Sequence, residues 1–320
     1  LKTLSVVIPF YNEEENLRVI YDELSKVRDT ALTKYRVEIV FMDNHSTDRS
    51  FEVARDIAAG DGNCRVIRLS RNFGYQANIL TGFLNCSGDA AIQLDADGED
   101  DPQLIPDFVA KWESGFDVVY GIRRKRHEGR IISFQRKVFY RLLNSISAVK
   151  IPLDAGDFRL IDRKVIDALA HFRESNLYLR GLIAYVGFNQ VGIEYDRRKR
   201  YRGESKFSWW DYFSLAWQGI TSFSAKPLQL ATWLGFALAF ISFFGGFIYL
   251  AMYLRGDIIV PGFTTMVLVQ LFLAGVQLLV IGLVGKYIGA IFDEVKRRPR
   301  SIVERKTGAE SPAFQNGYLD

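Results

Sequence analysis

From Ala231 to Leu254 the chain passes about 24 residues without one charged side chain, more than the ~20 a membrane-spanning helix needs at 1.5 Å per residue. A second apolar stretch, Thr264 to Ala290, holds a single charge, Lys286, close enough to its end to snorkel into the headgroups. Two buried core helices are the other way to hide such runs, but helices of a soluble domain normally keep a polar face. The reading is therefore a two-helix transmembrane hairpin, 231–254 and 264–290. The connection between them carries one cation, Arg255, whereas Arg200, Arg202, Lys206 and Lys226 precede it and Lys296 to Arg300 follow. Positive flanks stay inside, so an integral protein of the inner (cytoplasmic) membrane is expected, with its soluble domain and both termini cytoplasmic. Gln270 and Gln277 share a helix face, and Gly285-x-x-x-Gly289 permits close approach, which suits pairing of the two spans or a homo-oligomer through the second.

Upstream, residues 207–230 hold Trp209, Trp210 and Trp217 among other aromatics at helical spacing, the pattern of an amphipathic helix lying in the interface. Residues 291–320 read as a basic cytosolic tail. Basic clusters at Arg123–Arg126, Arg197–Arg200 and Lys296–Arg298 add to a net charge of +4 and point to anionic lipid or phosphate rather than nucleic acid. Cys64 and Cys86, with no CxxC spacing, read as reduced thiols rather than a zinc site. No secretory leader is expected, because Lys2–Phe10 is too short an apolar run.

Residues 1–206 form the soluble unit. Apolar β-rich runs at 4–10, 37–42, 65–69, 90–94 and 117–120 alternate with helical periodicity between them. That alternation predicts an α/β fold, a mostly parallel sheet with helices on both faces. Such sheets bind ligands beyond the carboxyl ends of their strands, where Pro9, Asp43, Ser70 and Asp95 fall. Neither GxGxxG nor GxxxxGK[ST] occurs, which disfavours a dinucleotide site and a P-loop. His45, His127 and His171 lack metal-ligand spacing.

The segment Ile92-Gln-Leu-Asp95-Ala-Asp97-Gly-Glu99-Asp100-Asp101-Pro102 crowds five carboxylates at a strand end, where they repel unless a cation neutralises them. Asp95 and Asp97, two apart, can reach one hard cation. Mg²⁺ takes one or two carboxylates and completes its shell with water and phosphate oxygens, so a diphosphate is the natural co-ligand.

Six segments, in order, resemble the family 2 glycosyltransferases of GT-A fold, in particular the polyprenyl-phosphate (dolichol-phosphate-type) transferases and their bacterial Gtr-type two-span subgroup. They are Val6-Val-Ile-Pro9-Phe-Tyr11-Asn12-Glu13, Asp43-Asn-His-Ser46-Thr-Asp48, Ser70-Arg71-Asn72-Phe73-Gly74, Asp95-Ala-Asp97, Gly156-Asp157-Phe158-Arg159-Leu160 and Arg200-Tyr-Arg-Gly203-Glu-Ser205-Lys206. The resemblance implies an inverting, metal-dependent hexosyltransferase acting on a nucleotide sugar and a polyprenyl phosphate, with UDP-glucose as first choice and GDP-mannose or an aminoarabinose donor open. It implies that Pro9, Tyr11, Glu13, Asp43, Ser46, Arg71 and Asp95 bind the nucleotide. Asp95, Asp97 and Glu99 hold Mg²⁺ or Mn²⁺, and Asp157, with Asp97, serves the chemistry. Arg123, Arg126, Arg200, Ser205 and Lys206 meet the acceptor phosphate. Two departures stand out: Glu99 replaces the usual Gln, and Asn44-His45 replace Asp-Gly. They leave room for a catalytically inactive membrane scaffold.

Overall fold

A computed structural model describes residues 1–123, 155–174, 177–198, 226–255 and 262–308. The soluble part is built on strands β1 (Thr3–Phe10), β2 (Arg36–Asp43), β3 (Cys64–Leu69), β4 (Ala90–Gln93), β5 (Val118–Arg123), β6 (Ala155–Asp162) and β7 (Gln190–Tyr195). Helices α1 (Leu17–Ala31), α2 (Ser50–Gly60), α3 (Tyr75–Asn85), α4 (Ile105–Glu113), α5 (Arg163–Ala170) and α6 (Leu179–Tyr185) connect them. Two long helices, α7 (Lys226–Leu254) and α8 (Phe263–Val295), and an eighth strand, β8 (Val303–Gly308), complete the described chain.

Alternation along the central strands sorts the core into two layers. Leu4, Val6 and Ile8 of β1 with Val37, Ile39 and Phe41 of β2 pack on one face against α1, α2 and α4. Val7, Val40 and Met42 point the other way, against α3, α5 and α6. Helix α1 contributes Leu17, Ile20, Leu24 and Val27, spaced at three and four so that one stripe is buried. Each such side chain contributes roughly 1.5–3 kcal/mol by burial. Helix α3 lies so close to the sheet that a Cβ on Gly82 would collide with Val7 Cγ1 and stand 2.9 Å from Met42 Cγ. Only a glycine fits at that crossing.

The sheet order is β7-β5-β6-β4-β1-β2-β3-β8. Pairs β1–β2, β1–β4, β2–β3 and β5–β7 are parallel. The expected α/β sheet with helices on both faces is thus present, with two additions. Strand β6 enters antiparallel between β4 and β5, so the run at 118–123 is not the direct neighbour of β4. Strand β8, inside the stretch expected as a basic tail, returns after α8 and pairs antiparallel with β3.

The long helices run further than expected, from Lys226 instead of Ala231 and to Val295 instead of Ala290. At 1.5 Å per residue they are about 43 and 50 Å long. Among the described residues one stretch, Phe272–Val295, is long and apolar enough to cross a membrane, and none of it is buried against protein. The apolar stretch found in α7 is the shorter Ala231–Gly245. The aromatic segment upstream of α7 lies outside the described residues up to position 225.

Candidate active site

The topology explains which side chains meet. Strands β4, β1, β2 and β3 are adjacent and parallel, so Asp95, Tyr11, Asp43 and Arg71 follow one another along a single sheet edge. Because β6 runs antiparallel, its beginning, Gly156-Asp157, reaches that same edge beside the end of β4. Strands β5 and β7 end there too, bringing Arg123 and Tyr195.

On the β1–β2–β3 side the turns are knitted together. Asn12 adopts φ +56°, a conformation asparagine tolerates better than most side chains. Its backbone N–H donates to Ser46 Oγ (3.0 Å), and its Oδ1 accepts from the Thr47 N–H (2.8 Å). Glu13 N donates to Ser50 Oγ (2.7 Å), while Glu13 Oε2 accepts from Asn16 Nδ2 (2.6 Å). Asp43 is fully buried: its Oδ1 accepts from the Ser46 N–H (2.8 Å), and Arg68 Nη1 stands 3.4 Å from Oδ2. Burial pushes the Asp43 carboxyl up, against the pull of Ser46 and Arg68. Asn44 ties down the next turn, donating to Asn72 Oδ1 (2.9 Å) and accepting from the Phe73 N–H (3.0 Å). His45, at φ +64°, rests its Nδ1 3.0 Å from Leu69 O. Asn44 and His45, one of the two departures from the family pattern, therefore have structural work of their own. Pro9 is the penultimate residue of β1, and Tyr11, just past the strand's end, is exposed. Arg71 is exposed, with its guanidinium stacked 4.0 Å over the Phe73 ring.

The β4–β6 side is electrostatic. Asp95 Oδ1 accepts from the Tyr75 hydroxyl (2.6 Å) and, more weakly, from Gln93 Nε2 (3.3 Å). Burial, then the negative charges of Asp100 and Asp97, push its carboxyl up to about 7. Asp97 is buried, and its Oδ1 accepts from the Glu99 N–H (3.1 Å). Asp100 is fully buried; it accepts a 2.5 Å bond from the Tyr195 hydroxyl, and its Oδ2 has no hydrogen-bond partner among the described residues. An over-full acidic pocket with an orphan oxygen fits a cation that adds charge from outside. Glu99, the third residue of the expected metal set, pairs with the Arg197 guanidinium. Among the described residues no three carboxylate, imidazole or thiol groups form a set that could hold a metal alone. Asp95 and Asp97 are close enough in sequence to share one cation whose shell phosphate oxygens and water would complete.

Asp157 is clamped. Arg180 Nε and Nη2 donate to its two oxygens at 2.7 and 2.5 Å, and Arg159 Nη2 stands 3.7 Å away. Burial alone would raise its carboxyl, but Arg180, Arg159 and Arg123 hold it down at about 2. Such a carboxylate accepts protons poorly. Arg123, at the end of β5, faces Tyr195, which packs over Gly121. Arg126, Arg200, Ser205 and Lys206 lie outside the described residues. Tyr75, Arg180 and Tyr195 carry no local signature in the sequence, whereas Arg159 stands inside the Gly156–Leu160 segment and Arg197 inside a basic cluster.

The fold and its acidic edge define a glycosyltransferase of GT-A type. The chain belongs to glycosyl transferase family 2, whose family model matches residues 5–170. It is 40% identical over 308 residues to an uncharacterized glycosyltransferase, YkcC, of Bacillus subtilis (strain 168), covering 96% of this chain and 95% of that one. It is 38% identical over 304 residues to the bactoprenol glucosyl transferase of Shigella phage SfII, covering 94% and 97%. Among solved structures, glucosyl-3-phosphoglycerate synthase from Mycobacterium tuberculosis, in complex with Mn²⁺, UDP-glucose and phosphoglyceric acid, superposes with a TM-score of 0.45 at 21% identity over 69% of this chain and 78% of that one.

Proposed function

We propose that this enzyme transfers glucose from UDP-glucose to a polyprenyl phosphate, with inversion, at the cytoplasmic face of a membrane that α7 and α8 both cross. The observation that carries the reading is the pairing of Asp157 with Arg180 beside the acidic edge. A transferase acting on a sugar hydroxyl needs a base to take its proton, whereas a lipid phosphate is already an anion at neutral pH. A carboxylate held near pH 2 fits the second nucleophile and not the first. The relatives named as bactoprenol glucosyl transferases, alike over nearly the whole chain, support the same donor sugar and acceptor class.

In the reaction an acceptor phosphate oxygen bonds to the anomeric carbon on the face opposite the leaving group. The bond from that carbon to the diphosphate oxygen breaks, and its electron pair leaves with UDP. Asp95 and Asp97 would hold a divalent cation, Mg²⁺ or Mn²⁺, which when bound supplies counter-charge to the diphosphate. Asp43 and the turn carrying Tyr11 and Glu13 receive the nucleoside. Asp157 orients Arg180, and with Arg159 and Arg123 this makes a positive wall that draws the acceptor anion despite a neighbouring carboxylate. Arg126, Arg200, Ser205 and Lys206 are assigned to the acceptor phosphate as well.

Membranes carrying the protein, incubated with polyprenyl phosphate, Mg²⁺ and radiolabelled UDP-glucose or GDP-mannose, test the proposal. Label from UDP-glucose is expected in the organic phase. Label from GDP-mannose alone would overturn the donor, and label from neither would overturn the activity.

A further inference from the structure

Strand β8 reaches the site from the far end of the chain, and its pairing with β3 is irregular at one position. Arg305 pairs with Arg68 and Val303 with Leu69, so Glu304 is the extra residue of a β-bulge. Bulges re-aim side chains. Here Glu304 Oε2 lies 3.4 Å from Arg68 Nε and 3.5 Å from His45 Nδ1. Arg305 also comes to this side, its guanidinium 6.0 Å from the Phe51 ring that Arg68 covers at 4.7 Å. Arg68 is thus shared between two acids. Its Nε faces Glu304, its Nη1 faces the buried Asp43 at 3.4 Å, and its Nη2 donates to Ser46 O at 3.2 Å. The Asp43 oxygen facing Arg68 has no hydrogen-bond partner among the described residues.

We infer that Glu304 is a positioning residue for the donor nucleotide, keeping the Arg68 guanidinium drawn off Asp43 so that the inner carboxylate oxygen stays available to an N–H or hydroxyl of the nucleoside. The inference rests on the reading of Asp43 as a nucleoside contact. An exposed carboxylate on β8 therefore tunes affinity at a buried one on β2, and the strand that follows the second long helix becomes part of the donor site. Without the Glu304 charge, Arg68 closes on Asp43 and competes with the nucleoside for it.

The test uses the full chain in detergent or nanodiscs, with UDP as the binding probe and UDP-glucose in the activity assay. Glu304→Gln is expected to weaken UDP binding and raise the KM for UDP-glucose, each about fivefold, with kcat and the acceptor KM within twofold of wild type. Glu304→Asp should recover part of the loss. In an Arg68→Gln background the same Glu304→Gln change should have no further effect, because the cation it acts through is gone. Unchanged UDP affinity, a fall in kcat at constant donor KM, or full additivity in the double variant would overturn the inference. Should Glu304→Gln fold poorly, Glu304→Asp and the Arg68→Gln pair decide it in the same terms. A wild-type protein that binds no UDP would instead sink the proposed function, a separable result.

Discussion

The β1–β2–β3 half of the sheet edge and the β4–β6 half hold themselves ready in opposite ways. In the first, Asn12, Ser46, Ser50 and Asn44 spend their polar atoms on neighbouring backbone, so the turns are fixed before any ligand arrives. In the second, Asp95, Asp97 and Asp100 crowd together while Arg180, Arg159 and Arg123 surround Asp157. One half is pre-shaped by hydrogen bonds; the other is pre-charged and relieved only by what binds. The first resembles a mould, and changes to it should act on affinity and stability. The second acts on turnover.

Asp95→Asn should break this contrast most severely. Turnover is expected to fall by roughly 10²–10³, the range for losing one preorganised electrostatic group. The melting temperature of the ligand-free protein should nevertheless rise, because burial and like charge oppose the native carboxylate. A parallel loss of stability would refute the pre-charged description.

Next comes Arg180→Gln, which strands Asp157. A cost of roughly 3 kcal/mol in urea unfolding is expected, with most of it recovered in the Asp157→Asn/Arg180→Gln double variant. Asp157→Asn alone should lower kcat by about tenfold, short of the ~10²–10⁴ that a lost general base costs. It should also leave the pH–rate profile unshifted between pH 5 and 8. A moved acid limb would restore Asp157 as a base.

The same group sets an acid dependence of stability. Its folded carboxyl sits near 2 against an ordinary 3.8. Its contribution is therefore complete above about pH 4 and is lost as pH falls toward 2. Unfolding curves of wild type and Asp157→Asn should converge over that window and stay parallel above it.

The smallest effect belongs to the other half. Asn44→Ala removes two hydrogen bonds that hold the β3–α3 turn and should cost about 1–2 kcal/mol of stability. The donor KM should rise and kcat hold. A kcat effect as large as that of Asp95→Asn would erase the distinction between the halves.

Much of the edge could be read in advance, because one apolar strand ends in Asp43 and another runs into Asp95 just past its end, declaring the direction of both. What escaped shares one cause: its partners are far apart along the chain. Glu99 stands beside Asp97, and its pairing with Arg197, nearly a hundred positions on, has no signal near either residue. Arg180 sits in a short helix with no motif around it, and only the antiparallel entry of β6 brings it to Asp157. Strand β8 reads Val-Glu-Arg-Lys-Thr-Gly, with no apolar alternation to betray it. It is an edge strand held by backbone bonds, and its charges are what such edges carry to stay soluble.

That closing strand has a mechanical side. A domain fastened to its anchor by one connection can swivel, and its reactive face then samples many headings. On the proposed membrane reading, the polypeptide leaves for the long helices and comes back to pair with β3 at the far edge of the sheet, giving the domain two attachments. Two attachments would restrain twisting, and a substrate delivered from one fixed height should find the same doorway at each encounter.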